Sequence, residues 1–425
     1  MTAIAQTQPS PARRQTATGL VRLASWSVSD QILVSGSNFI ATVILARALG
    51  PSSFGAFTLA YSVLLFFLSV QGAAFTQPHN VLGAGRSGSD YVQYTTETAS
   101  AQTLFALGAG STLALLALGA HVVGIGPAGL LLALAAALVA WQLQEFARRV
   151  LYTHARAKLA FASDLVNYGL QAVILVYLAA AGSVTPVRAM YTIAGTSALA
   201  AAWSLWLLRD DLSLRFVRPR IRENWDYGRW LLGGTLLYWA WAQIYLLLAA
   251  AFLGVAAVGV VRAAQNLLAA THVIRIAFET AALPVAARGF AEHGTDWLTR
   301  FLKRWTIVAA VPLVAYCALA SGFAHFLMTT IYSQAYGTST ALLWLFSLAY
   351  VITFGAESVS IGLRAMRRSS AIFFAEIHAV MATVVAGPFL IWRFGIVGVA
   401  LGLVVTVTAL TYSLCGELRK QTVAT

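Results

Sequence analysis

Charge is scarce in this chain. Of 425 residues, 28 are Lys or Arg and 15 are Asp or Glu, together 10% of the sequence. A soluble domain carries about 25% charged residues, so a water-soluble globular protein is disfavoured from the outset. Cysteine is nearly absent: Cys317 and Cys415 both sit in apolar stretches, which excludes a disulfide framework and a thiolate metal site and leaves two small packing residues. No histidine and acid combination has zinc spacing; His79, His121, His154, His293 and His325 fit loops or interfaces. No Walker motif supports direct use of ATP, and no cofactor is expected. The net charge of +13 does not point to nucleic acid, because the basic residues lie between apolar runs and form no single patch.

What the chain does have is hydrophobic sequence, 59% of the total. Several uncharged runs reach about 20 residues, enough to cross a hydrocarbon core of roughly 30 Å. The expected fold class is therefore an all-α polytopic membrane protein. Twelve spans are expected, at about 28–48, 55–78, 100–121, 127–147, 163–181, 188–208, 230–252, 257–283, 304–324, 340–360, 371–391 and 395–415. With the N-terminus inside, every Lys and Arg except Arg47, Arg188, Arg262, Arg275 and Arg393 falls in a cytoplasmic segment. That bias sets both termini in the cytoplasm of a multi-pass inner-membrane protein. Trp26, Trp225, Trp230, Trp297 and Trp305 fall near the expected interfaces, where amphipathic rings anchor.

One hairpin occurs twice. Leu253–Gly259 repeats the L-G-x-x-x-x-G frame of Leu49–Gly55, 204 residues later, with an apolar run on either side of each copy. Gly50 and Gly254 accept positive φ, and Pro51 cannot continue a helix, so each copy reads as a tight helix-turn-helix. A second echo relates Glu145, Arg156 and Asp164 to Glu357, Arg368 and Glu376, at an offset of 212. Two six-helix lobes starting from the same side follow, related by an axis along the membrane normal. The expected division is a cytoplasmic tail 1–22, an N-terminal lobe 23–208, a basic linker 209–229, a C-terminal lobe 230–416 and a tail 417–425. The linker's basic amphipathic character suits a segment on an anionic membrane surface, or an orientation determinant between the halves.

The run Leu45 to Tyr61, L-A-R-A-L-G-P-S-S-F-G-A-F-T-L-A-Y, resembles the first hairpin of the polysaccharide transporter (Wzx-type) flippase family, within the multidrug/oligosaccharidyl-lipid/polysaccharide exporter superfamily. The resemblance implies an alternating-access exporter, not an enzyme. It implies that polyprenyl-pyrophosphate-linked oligosaccharide moves from the inner to the outer leaflet for surface polysaccharide synthesis. It also implies membrane lipids as partners, together with polysaccharide polymerase and chain-length machinery. Its rivals are a multidrug exporter of the same architecture, a membrane-embedded glycan polymerase or ligase, and a scaffold for a synthesis complex. The short outward loops count against the embedded enzyme.

Ionisable residues inside a membrane cost about 2.5–3.5 kcal/mol each at a helix centre on insertion scales, so they mark cavities or partners. The eighth span collects Arg262, Gln265, His272, Arg275 and Glu279 on one arc of about 140° of an uninterrupted helix. Arg262 and Arg275 are candidates to hold a pyrophosphate, since a guanidinium offers a permanent charge and a two-toothed donor fork. The competing reading is an Arg275–Glu279 pair within the helix and a snorkelling Arg262. In the first span Ser27, Gln31, Ser35, Asn38 and Thr42 form a milder polar stripe, with Asp30 at its inner end and Arg47 at its outer end. Gln31, Asn38, Arg47, Gln265 and His272 complete the candidate cavity lining. Coupling to an ion gradient is expected, with Glu279, Glu357 and Asp30 as candidate carboxylates. Glu145, Arg149, Asp164, Arg368 and Glu376, near the inner ends of their spans, are candidate gate or structural ion pairs.

Overall fold

The computed structural model describes residues 17–154, 156–213, 216–217 and 222–423. Most of the expected N-terminal tail, part of the linker, the last two residues and the Ser27 side chain lie outside the described set. In hydrocarbon a backbone must satisfy its own polar groups, which leaves helices or a closed barrel. This chain takes the first course, and the described residues contain no strand. In order, the helices are α1 (Ala17–Gln71), α2 (Gln77–Leu82), α3 (Gly88–Val123), α4 (Ala128–Thr153), α5 (Ala157–Asp164), α6 (Leu170–Ala180), α7 (Pro186–Leu207) and α8 (Arg222–Tyr238). They continue as α9 (Ile244–Leu253), α10 (Val255–Leu267), α11 (Ala270–Gly322), α12 (Ala324–Leu327), α13 (Ala341–Ala365), α14 (Ser369–Phe394) and α15 (Ile396–Val423). Short π-helical segments, Gly72–Thr76, Leu165–Gly169 and Trp239–Gln243, join α1 to α2, α5 to α6 and α8 to α9. Among the described residues, nine helical stretches are long and apolar enough to cross a membrane.

Glycines set the bends. Gly50 (φ 68°) breaks α1 between the first two expected spans, and Gly254 (φ 84°) makes the equivalent turn between α9 and α10. Gly294 (φ 73°) turns the chain inside α11. Only a residue without Cβ takes these angles at no steric cost. The eighth expected span is not one continuous helix. Leu268 and Ala269 donate to the carbonyls three residues back, Gln265 and Asn266, at 3.1 Å each, and α11 starts on a new phase. The single arc expected for Arg262 through Glu279 is therefore divided, because tight i→i+3 bonds rotate the lower half relative to the upper.

Two groups of helices pack separately. In the first, α4 lies between α3 and α7, with α5 and α6 against α1; in the second, α13 lies between α11 and α15, and α14 packs on α15. The groups meet where α1 packs along α10. There the duplicated hairpins touch each other. A Cβ on Gly55 would sit 1.9 Å from the Val255 carbonyl oxygen, and one on Gly259 would sit 2.2 Å from that of Pro51. Backbones this close need small residues, as at many helix contacts within membranes. Tyr336 donates to the Ala46 carbonyl at 3.0 Å and Arg47 to that of Thr330 at 3.3 Å, closing the same end.

The linker does not float free. The Ser213 and Val217 backbone N–H groups donate to the hydroxyls of Thr96 and Ser100 on α3, at 3.1 and 3.2 Å. Tyr94 donates to Asn224 at 2.7 Å, and Asn224 donates to Thr98 at 3.2 Å. Arg86 meets Glu223 at 2.5 Å, and Arg156 meets Asp211 at 2.7 Å. The hydroxyl-rich face of α3 supplies the partners that bring the linker onto the first helical group.

Candidate functional site

Beneath the glycine contact lies a small open pocket lined from both helical groups. The half of α1 before Gly50 supplies Asn38 and Thr42, the half after it Phe57, Thr58 and Tyr61, α6 supplies Gln171, and α10 supplies Arg262. Arg262 is the only charged side chain on this lining. No carboxylate among the described residues lies within ion-pairing distance of it, although it is half-buried. The helix forces this exposure: Val258, Val261, Ala263, Ala264 and Leu267 take the buried faces of α10 and leave Arg262 on the face turned to the cavity. An intramembrane cation without a counter-ion is costly, which makes Arg262 a candidate functional residue. Next to it, Phe57 and Tyr61 stack with ring centroids 5.7 Å apart, and Tyr61 leans on Trp141 at 5.7 Å.

The other candidates fall elsewhere. Asn38 lines the cavity, whereas Gln31 is exposed one stretch below it and donates to Ser35 at 2.9 Å. Arg47 is at the closed end, holding Thr330. Gln265 is half-buried on α10 and His272 is exposed beyond the turn. Arg275 does not pair with Glu279. It grips Glu357 of α13 with two bonds of 2.7 Å, while Glu279 pairs with Arg364 at 2.7 Å. Helical spacing made an internal pair the natural expectation, but the bidentate geometry across to α13 is better matched to a guanidinium than an i,i+4 reach.

The third coupling candidate, Asp30, is buried in an ion cluster of the first helical group. Arg148 contacts Asp30 at 2.6 Å, Asp164 at 2.5 Å and Glu145 at 3.2 Å, and Arg149 adds a contact to Glu145 at 2.6 Å. Tyr152 donates to Asp30 and Gln144 to Asp164, at 2.6 and 2.9 Å. Sequence reasoning named Glu145, Asp164, Arg149 and Asp30 but not Arg148 as their hub. Its spacing to Glu145 was visible, and its reach to α1 and α5 was not. The matching positions in the second group differ: Glu376 is half-buried and Arg368 exposed, and neither has a charged partner among the described residues. The described residues hold no group of three or more His, Cys, Asp or Glu placed to bind a metal.

The fold is similar to that of transporters of the MOP superfamily. The structure is similar to an inward-facing multidrug resistance MATE family transporter of that superfamily, with a TM-score of 0.73, 17% identity and coverage of 93% of this chain and 95% of the other. It is similar to the lipid II flippase MurJ in an inward closed conformation, with a TM-score of 0.74, 11% identity and coverage of 94% and 87%. A superfamily transporter from Pyrococcus furiosus, described as having a binding pocket of reverse polarity, aligns with a TM-score of 0.64 at 16% identity over 95% of each chain. No curated protein matches the sequence. The chain itself belongs to the polysaccharide biosynthesis protein family, which matches residues 20–290. It is a multi-pass membrane protein with the fold of a flippase or exporter.

Proposed function

We propose that this protein is a flippase that carries a polyprenyl-pyrophosphate-linked oligosaccharide across the cytoplasmic membrane by alternating access, for surface polysaccharide synthesis. The observation that carries this reading is Arg262, which has no carboxylate partner among the described residues and stands on an otherwise uncharged cavity wall at the junction of the two helical groups. A diphosphate supplies the missing charge, and a guanidinium holds it in two places. Arg275, engaged with Glu357, reaches a head group only if that pair opens. In this reading the chain, divided at Gly50, Gly254 and Gly294, makes twelve crossings in two lobes of six joined by the linker, and both termini are cytoplasmic; the positive φ at each of these glycines supports the division. In this orientation the glycine contact closes the outer side. The better superposition on the inward-facing MATE transporter, with a TM-score of 0.73 against 0.65 for an outward-facing one, supports the same reading.

The aromatic wall of Phe54, Phe57 and Tyr61 would suit the lipophilic cations of a multidrug exporter, but Arg262 on the same lining repels them and no carboxylate on it attracts them. The test is translocation of a fluorescent polyprenyl-diphosphate glycan in proteoliposomes. Arg262→Gln loses a charge-assisted bond of about 1.5–3 kcal/mol, so transport is expected to fall at least about tenfold, with Arg262→Lys intermediate. Undiminished transport by the glutamine variant removes Arg262 from the site. Efflux of a cationic dye without lipid translocation replaces the proposal with the multidrug reading.

A further inference from the structure

The first helical group contains a set of buried amides that the transport cavity does not use. Gln71 at the end of α1, Gln102 on α3 and Gln142 on α4 are each 0% exposed. Gln71 donates through Nε2 to the backbone carbonyl of Gln142 at 2.9 Å, which fixes its side chain against α4 at that residue. Phe105 packs between Phe67 and Phe75, with ring centroids 6.0 and 5.6 Å away, so α3 lies level with Gln71 at that point. Gln102 precedes Phe105 by one helical turn and so stands on the same side of α3, the side that faces the wedge between α1, α3 and α4. Among these three side chains five polar atoms have no partner: Gln71 Oε1, and both Nε2 and Oε1 of Gln102 and of Gln142.

We propose that this wedge is an internal hydration site, occupied by ordered water that bridges the three glutamines. Buried amides are almost always hydrogen-bonded, and an unsatisfied one calls for an unseen partner. The mixture of atoms identifies the partner. A bare cation satisfies the three oxygens but repels the two amide donors, whereas water both donates and accepts. Water needs two to four polar neighbours to stay buried, and five unpartnered atoms meet that need. A second observation places the site at a weak point of the backbone: Gln71 adjoins the π-helical segment Gly72–Thr76, where Thr76 turns its hydroxyl back to the Gln71 and Gly72 carbonyls at 3.3 and 3.2 Å. Such π segments interrupt the regular ladder and recur at functional positions. Bound water offers replacement partners when that segment flexes, so the site makes the inner end of α1 a deformable joint.

The full-length protein in nanodiscs gives two readouts. Pulsed X-ray radiolysis oxidises side chains beside bound water even when bulk solvent cannot reach them. Phe75, 9% exposed and adjoining the wedge, is expected to be oxidised, with Ala73-to-Thr76 peptides carrying the label; an unlabelled Phe75 overturns the proposal. Thermal unfolding of Gln102→Leu and Gln142→Leu, made singly, separates wet from dry. In a hydrated site each leucine displaces water and strands its neighbours, lowering Tm by about 2–4 °C. In a dry site the leucine relieves an unpaired amide, and an unchanged or raised Tm refutes hydration. If one variant fails to fold, the other and the wild-type labelling decide the matter.

Discussion

The glycine contact between the two hairpins makes a demand that one added methyl group tests. In Gly259→Ala the new Cβ lies 2.2 Å from the Pro51 carbonyl oxygen, and in Gly55→Ala it lies 1.9 Å from that of Val255. Ordinary carbon–oxygen contact is about 3.2 Å, so the helices must part by roughly 1 Å, and overpacking of this kind costs about 1–3 kcal/mol. Both neighbours are backbone, which cannot rotate aside. The cost falls only on the state in which α1 and α10 touch. A bias of 1–3 kcal/mol shifts a two-state equilibrium by roughly 5- to 150-fold, here toward the outward-open form.

The assay is cysteine accessibility from the outer side. Cys317 and Cys415 are first replaced by alanine, and Asn38→Cys places a reporter on the cavity wall. A membrane-impermeant thiol reagent applied to right-side-out vesicles is expected to label the reporter roughly 5- to 150-fold faster when Gly259→Ala is present. Thermal unfolding in parallel separates a shifted equilibrium from a damaged fold. An unaltered labelling rate in a folded variant means that the contact is not the outer closure.

Three further outcomes follow from the ion pairs and the linker. Glu357→Gln removes the partner of a partly buried Arg275 and is expected to cost about 2 kcal/mol, between an exposed and a buried pair. Its transport rises if Arg275 then joins the site and falls if the pair only braces the fold, which a proteoliposome assay distinguishes. Arg148→Gln strands Asp30 and Asp164 around a side chain 12% exposed and leaves Glu145 to Arg149, and a loss of about 3–5 kcal/mol is expected in thermal unfolding. Asn224→Ala removes the bonds to Tyr94 and Thr98 and is expected to raise hydrogen exchange in the start of α8, for a loss of about 1–3 kcal/mol.

The sequence reveals features carried by local repetition. The paired L-G-x-x-x-x-G frames, the apolar runs and the basic residues between them are visible as spacing, and each follows from the needs of helices in lipid. Of the polar stripe of the first span, Asn38 and Thr42, one helical turn apart, are on the cavity lining. What stays hidden depends on which helices meet. Arg275 has acids at two spacings, Glu279 nearby and Glu357 far along the chain, and only the packing of α11 on α13 decides between them. The turn at Leu268–Ala269 has no glycine or proline to announce it, so the arc drawn across it was too long. The hub role of Arg148 arises from three helices converging, and no single window of sequence contains them.

The charges that remain unpaired set the energetics of the proposed cycle. Each of the three candidate coupling carboxylates is closed by an arginine: Asp30 by Arg148, Glu357 by Arg275 and Glu279 by Arg364. Arg262 is the charge on the cavity lining, and in the proposed cycle it is the one that changes sides of the barrier in the empty carrier. With a diphosphate of about two negative charges bound, the occupied site carries roughly one negative charge, and moving it outward runs down an inside-negative potential. The empty site then carries one positive charge, and its return inward runs down the same potential. Each full cycle moves about two negative charges outward, which is worth roughly 4.6 kcal/mol at 100 mV, at 2.3 kcal/mol per charge. A potassium diffusion potential set with valinomycin is therefore expected to accelerate flipping when the interior is negative and to slow it when the sign is reversed. Arg262→Gln should make the return step of the empty carrier insensitive to potential. Equal rates at both polarities, with a proton or sodium gradient required instead, would show that one of the paired carboxylates opens during the cycle and carries the coupling ion.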